Sequence, residues 1–103
     1  MELTSENFEK EAKQSDIPVI VDFFADWCPP CKMLAPVFEE TSKGYGGKVK
    51  FVKVNVDQNK DLADEFEVRS IPTLIILKGG KEVERMMGFM PKDQLKAKID
   101  KAI

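Results

Sequence analysis

The two cysteines of this chain stand three positions apart in "ADWCPPCKM", residues 25–33, with Pro29 and Pro30 between them. Four chemistries are open to such a pair: a structural staple, half of a metal site, inert buried thiols, or a dithiol that cycles to a disulfide. Closing so short a loop constrains the unfolded chain by only roughly 2 kcal/mol in the chain-entropy description. A closed tetrahedral metal site asks for four ligands. The chain has no third cysteine and no histidine, so a second chain or carboxylates would have to complete it. Inert thiols fit poorly beside Trp27 and two prolines, which mark the junction between a strand and a helix.

The cycling dithiol is the reading that the position of the motif supports. Cys28 precedes a helix, so its sulfur can lie near the positive end and its free amides, which stabilise a thiolate. Cys31 falls within the first turn, where it is expected to be shielded. That asymmetry separates an attacking sulfur from a resolving one, as two-step exchange requires. Each proline fixes its own φ near −65°, the value a helix start needs, and so holds the sulfurs at bridging distance. Neither proline has an amide hydrogen, which leaves Cys31 as the nearest backbone donor to Cys28 within the motif.

A second chemical group lies upstream. "VIVDFFA" puts Asp22 in the middle of an apolar strand, where an ionised and unpaired carboxylate is expensive, and "FVKVNV" does the same with Lys53. The two charges can pair across neighbouring strands with no catalytic consequence. Alternatively Asp22 lies beneath the cysteines and exchanges a proton with Cys31, directly or through water. With no histidine in the chain, a carboxylate whose pKa is raised by desolvation is the available buried base, and Lys53 would moderate that rise.

These groups need a scaffold. A possible edge strand at Glu2 to Thr4 precedes a helix that Ser5 can cap, with Phe8 and Ala12 on one face. The apolar run 17–25 reads as a strand buried on both faces, as in a parallel sheet covered by helices. From Cys31 the spacing of Leu34, Val37, Phe38 and Thr41 is helical, with Pro36 expected to kink the helix. The turn at Gly44 to Lys48 leads into an alternating strand, 49–56. A short helix from Asp57 to Phe66 turns Leu62 and Phe66 inward. Then come two strands joined at Gly79-Gly80 and a last helix, with Pro91 at its first position and Leu95, Ile99 and Ala102 as its apolar stripe. The order is β-α-β-α-β-α-β-β-α.

At 103 residues, 43% hydrophobic and 33% charged, the chain can bury one core and not two. Residues 1–103 are therefore expected to form a single domain. Sixteen basic and 18 acidic residues are well mixed, so no block favours nucleic acid or a membrane surface. "MELTSENFEK" has no basic segment followed by an apolar one, and cytoplasmic residence is the expectation. A stable structural disulfide is disfavoured there.

Taken together, "VDFFADWCPPCKMLAP", "KVNVDQN" and "VRSIPTL" resemble the thioredoxin family, in the correct order and over nearly all of the chain. The resemblance implies an α/β thioredoxin fold, a central mixed five-stranded sheet flanked by four helices. It implies a protein disulfide reductase that works by dithiol-disulfide exchange, with Cys28 the nucleophile, Cys31 the resolving cysteine, Asp22 the buried acid/base and Lys53 its partner. Pro72 matches the family's cis-proline after Ile71. Trp27, Pro30, Ile71, Pro72, Gly88 and Phe89 would form a flat apolar patch around Cys28, and the backbone before Pro72 would pair with a target chain like an added strand. No bound cofactor is implied beyond the Cys28-Cys31 pair itself. The implied partners are disulfide-containing proteins and a thioredoxin reductase, either an NADPH flavoprotein or a ferredoxin-linked enzyme, acting on a monomer. The family usually has Gly-Pro between its cysteines, and the Pro29-Pro30 found here bears on redox direction. An oxidant or isomerase of the same fold and a non-enzymatic binding module are the competing readings. Phe24 stands where many relatives have tryptophan.

Overall fold

The apolar run that contains Asp22 becomes the central strand of the sheet, and each of its six residues is buried. The computed structural model describes all 103 residues. Its elements are β1 (Glu2–Leu3), a single wide helical turn (Glu9–Lys13), β2 (Val19–Phe24), α1 (Pro29–Ser42), β3 (Lys50–Asn55), α2 (Lys60–Glu65), β4 (Thr73–Lys78), β5 (Lys81–Met87) and α3 (Lys92–Ala102). The strands lie in the order β1-β3-β2-β4-β5. β1 and β2 run parallel to β3, while β4 runs antiparallel to both β2 and β5. The sheet is therefore mixed and five-stranded with helical segments on both faces, as expected.

Period-two alternation divides the core between the two faces. Val19, Val21 and Phe23 join Val52, Val54, Ile75 and Leu77 beneath Phe8, Ala12 and Leu62. Ile20 joins Leu74, Ile76 and Met86 beneath Leu34 and Phe38 of α1 and Leu95 and Ile99 of α3. Each such side chain, taken out of water, contributes roughly 1.5–3 kcal/mol before the cost of ordering it. Asp22 has the parity of Ile20 and Phe24, so it belongs to the face that α1 covers. Phe66 turns inward as expected, with its ring 5.5 Å from Phe8 and 5.7 Å from Phe23.

Several local expectations are corrected. Ser5 does not cap the first helical segment; its amide donates to Asn59 Oδ1 at 2.9 Å and its hydroxyl to Asp61 Oδ1 at 2.5 Å, near the start of α2. Thr4 holds the turn instead, its carbonyl accepting from Phe8 and its hydroxyl oxygen accepting from Glu6. The segment itself is one wide turn, closed by the Gln14 amide on the Glu9 carbonyl. Asp57 lies outside α2, which starts at Lys60, because Asn55 Oδ1 accepts the amides of Asp57 and Gln58 and holds them in a turn. Pro91 is the residue before α3 rather than its first, extended at ψ 165°, with its carbonyl accepting from Leu95. Within α1, Pro36 withholds the donor that Lys32 O would otherwise receive.

Candidate active site

The chain leaves the buried end of β2 through Ala25 and Asp26 and enters α1 at Pro29, which puts Cys28 at the N-cap. Its backbone there is extended, φ −93° and ψ 109°, and its sulfur accepts the Cys31 amide at 3.3 Å. No acidic side chain occupies the first turn, so the positive end of α1 is left to the sulfur. The expectation that Cys31 supplies the backbone donor within the motif is met. Cys28 and Cys31 are joined as a disulfide, with their Cα atoms 5.2 Å apart. Burial does not separate the two sulfurs as expected, since both residues are 3% exposed. What distinguishes them is the amide aimed at Cys28 and the Ile71 carbonyl oxygen, 3.8 Å from its sulfur.

That carbonyl belongs to the loop before β4, and the Ile71-Pro72 peptide bond is cis, as the resemblance implied. Ile71 neither gives nor receives a backbone hydrogen bond, while the Pro72 carbonyl accepts from Gly88 at 2.8 Å. Gly88 sits at φ 87°, a conformation that favours glycine. Trp27 is two-thirds exposed and its indole N–H donates to Asp57 Oδ2 at 2.8 Å. Trp27 and Ile71 form two walls of a groove of about 200 Å³, completed by Val56, Val68, Arg69 and Ser70. Pro29, Pro30 and Phe89 are also exposed, whereas Pro72 is buried and offers backbone rather than surface. Phe89 lines none of the clefts.

On β2, Asp22 is fully buried and neither carboxylate oxygen has a hydrogen-bond partner. Burial pushes its pKa from the ordinary 3.8 up to about 7, with the charge of Lys53 pulling the other way. Asp22 and Lys53 are direct neighbours in the register of β2 and β3. Lys53 does not form an ion pair with it; the ammonium stands 4.4 Å from the centre of the Phe24 ring. Phe24, Lys53 and Cys31 share a second cleft of about 160 Å³. No group of three or more histidine, cysteine, aspartate or glutamate side chains is placed to hold a metal ion.

The candidate site thus holds a disulfide at a helix start with an unpaired backbone and a cis-proline beside it, and β2 carries a buried carboxyl. Comparison with known proteins gives it a family. The thioredoxin family model matches residues 1–101. The chain is 47% identical to thioredoxin 1 of a Nostoc species, over 97% of this chain and 94% of that one. It is 48% identical to a thioredoxin of Chlorobaculum thiosulfatiphilum, over 99% and 94%. A thioredoxin of Alicyclobacillus acidocaldarius is also 48% identical, over 96% and 93%. The chain belongs to the thioredoxin family.

It is accordingly a thioredoxin-type protein-disulfide oxidoreductase, a disulfide reductase working by dithiol-disulfide exchange through its cysteine pair. The oxidant or isomerase reading and the binding-module reading are not favoured. Thioredoxin membership implies disulfide-containing targets and a reductase that restores the dithiol. No helix is long and apolar enough to cross a membrane. Asp57, Val56, Val68, Arg69 and Ser70 were missed as site residues. Asp57 was within reach, because "KVNVDQN" carries it beside Asn55, but nothing in the sequence says that it meets Trp27.

Proposed function

We propose that Cys28 is the attacking sulfur, Cys31 the resolving one and Asp22 the base between them. The observation that carries this is the N-cap geometry of Cys28, whose sulfur receives the Cys31 amide at the positive end of α1. In the reduced protein the Cys28 thiolate attacks one sulfur of a target disulfide. The target's S–S bond breaks, its other sulfur leaves as a thiolate and takes up a proton, and a Cys28–target disulfide forms. Cys31 then gives its proton to Asp22 and attacks Cys28, releasing the second target sulfur and closing Cys28–Cys31. Two electrons pass to the target. Asp22 suits this role because a carboxyl of pKa about 7 accepts and returns protons near neutrality.

The unpaired amide and carbonyl of Ile71 offer a target strand two hydrogen bonds beside the reacting sulfur, and the groove between Trp27 and Ile71 takes an apolar side chain. Gly88 supports the loop through Pro72, and Phe89 adds apolar surface next to it. Pro29 and Pro30 stiffen the turn, and Lys53 tempers the charge of Asp22. The chain is one thioredoxin domain. It acts as a cytoplasmic monomer with no bound cofactor, nucleic acid or membrane partner, and is recycled by an NADPH flavoprotein or a ferredoxin-linked reductase.

Insulin reduction checks the cysteine roles. Cys28→Ser should fall to background, whereas Cys31→Ser should accumulate a covalent target adduct that dithiothreitol releases. Retained turnover in Cys28→Ser, or alkylation of Cys31 ahead of Cys28 in the reduced protein, would reverse the assignment.

A further inference from the structure

Lys53 supplies the charge that acts on Asp22, yet it is absent from every ion pair of the chain and its ammonium forms no hydrogen bond. Its ammonium faces the Phe24 ring at 4.4 Å instead. Phe24 follows Asp22 by two residues on β2, so both side chains leave the same face of the sheet. The ring is only 9% exposed and packs in the small cluster that holds Ala25, Cys28 and Cys31. A cation over an aromatic face is held there by roughly 2- to 30-fold in population, more strongly as water is excluded.

We propose that Phe24 is a positioning residue for the second step of exchange: its ring holds the Lys53 ammonium off Asp22, which keeps that carboxylate unpaired and ready for the Cys31 proton. This rests on the reading of Asp22 as the base. Without the ring, the attraction least screened by water is that of the buried carboxylate beside it in register, whose two oxygens have no other partner. A close ion pair would favour the charged form of Asp22 and weaken it as a proton acceptor at neutral pH.

The other charges around the pair are few. From β4 the neighbour of Asp22 is Leu74, which carries none. Lys32 of α1 and Asp26 of the loop after β2 share the cleft with Lys53 and Cys31. On the other side, Met1 and Glu39 line an adjoining cleft of about 450 Å³ that also includes Lys53. Asp26 and Glu39 are thus the competing destinations for a released ammonium. Each lies at an exposed position, where water screens its attraction.

The test is the titration of the Asp22 carboxyl carbon by NMR in the oxidised full-length protein, over roughly pH 4 to 10. Phe24→Leu should lower its midpoint by about one pH unit, and Phe24→Met should do the same should the leucine variant fail to fold. Phe24→Trp, which keeps an aromatic face, should stay within about 0.3 unit of the parent. In a Lys53→Met background, Phe24→Leu should produce no shift. A raised or unmoved midpoint in Phe24→Leu overturns the proposal, as does a shift that persists without Lys53. The pH dependence of target release, measured in single turnovers, should move with the midpoint. If the midpoint moves as stated while release does not, the positioning stands and the role of Asp22 as base fails.

Discussion

At the residue scale, Asp22 binds its proton far more tightly in the folded protein than in the unfolded chain. Its folded pKa is about 7 against an ordinary 3.8, because burial penalises the charged form and Lys53 offsets only part of that. Below about pH 4 both states hold the proton and the group has no effect on stability. Between about pH 4 and 7 the unfolded chain loses a proton that the folded protein keeps, so stability falls as pH rises, and above about pH 7 the loss is complete. The full loss is about 4 kcal/mol. Asp22→Asn removes it, and we expect that variant to exceed the parent by about 2–4 kcal/mol at pH 8 and to match it within about 1 kcal/mol at pH 4. Urea unfolding of the oxidised proteins at the two pH values is the check. An advantage of equal size at both would mean that polarity or packing, not ionisation, is responsible. On the proposed role of Asp22 as base, the asparagine should also slow target release at neutral pH.

At the element scale, the hairpin of β4 and β5 is tied to the opposite end of the chain through its turn. Gly79 and Gly80 have φ of 59° and 80°, the pair of positive angles that a two-residue hairpin turn requires. They differ in surroundings: a Cβ on Gly79 would meet nothing, whereas one on Gly80 would come within 2.7 Å of the Lys13 carbonyl oxygen. Gly79→Ala should therefore cost only the backbone strain, about 1 kcal/mol, and Gly80→Ala about 2–3 kcal/mol. The difference, read as urea midpoints at constant slope, measures the close approach of the turn to the first helical segment. Equal losses would mean that the hairpin moves away freely. Disulfide exchange should be unchanged in both, because the turn lies at the far end of β4 from Ile71. The same economy of contact holds α3 to the loop after α1, where the Tyr45 hydroxyl donates to Asp100 Oδ1 at 2.6 Å. That bond depresses the Asp100 pKa, with Lys96 adding to it.

At the scale of the whole molecule, the question is how a dithiol held by this fold stands against the cell's thiol pool. The N-terminus of α1 favours the reduced, anionic form of Cys28, but Pro29 and Pro30 remove two amides that could have added to it, leaving only that of Cys31. Weaker support for the thiolate shifts the equilibrium toward the disulfide, which makes the dithiol a better reductant. We expect a potential below that of the cytosolic glutathione pool, read by thiol labelling across a dithiothreitol series. A value near that of disulfide isomerases would mean that the stiffened turn strains the disulfide more than the lost amides favour it.

Much of this molecule is set by short-range pattern. Alternation along residues 49–56 and the 3.6-residue spacing from Leu34 to Thr41 specify elements because each periodicity matches one backbone geometry. Two thiols at a helix start, without histidine or a third cysteine, restrict the chemistry further, and a carboxylate inside an apolar strand marks a position where burial shifts ionisation. Ser5 and Pro91 depart from the pattern by one partner and one position, since a cap depends on which of several nearby donors and acceptors wins locally. The tertiary structure decided what pattern could not. Ile71 reaches Cys28 across 43 residues of chain, Trp27 meets Asp57 across 30, and the Lys53 ammonium chooses a ring over a carboxylate. Those are competitions among groups that only the packed sheet brings within reach, and their outcome depends on distance and exclusion of water rather than on order along the chain.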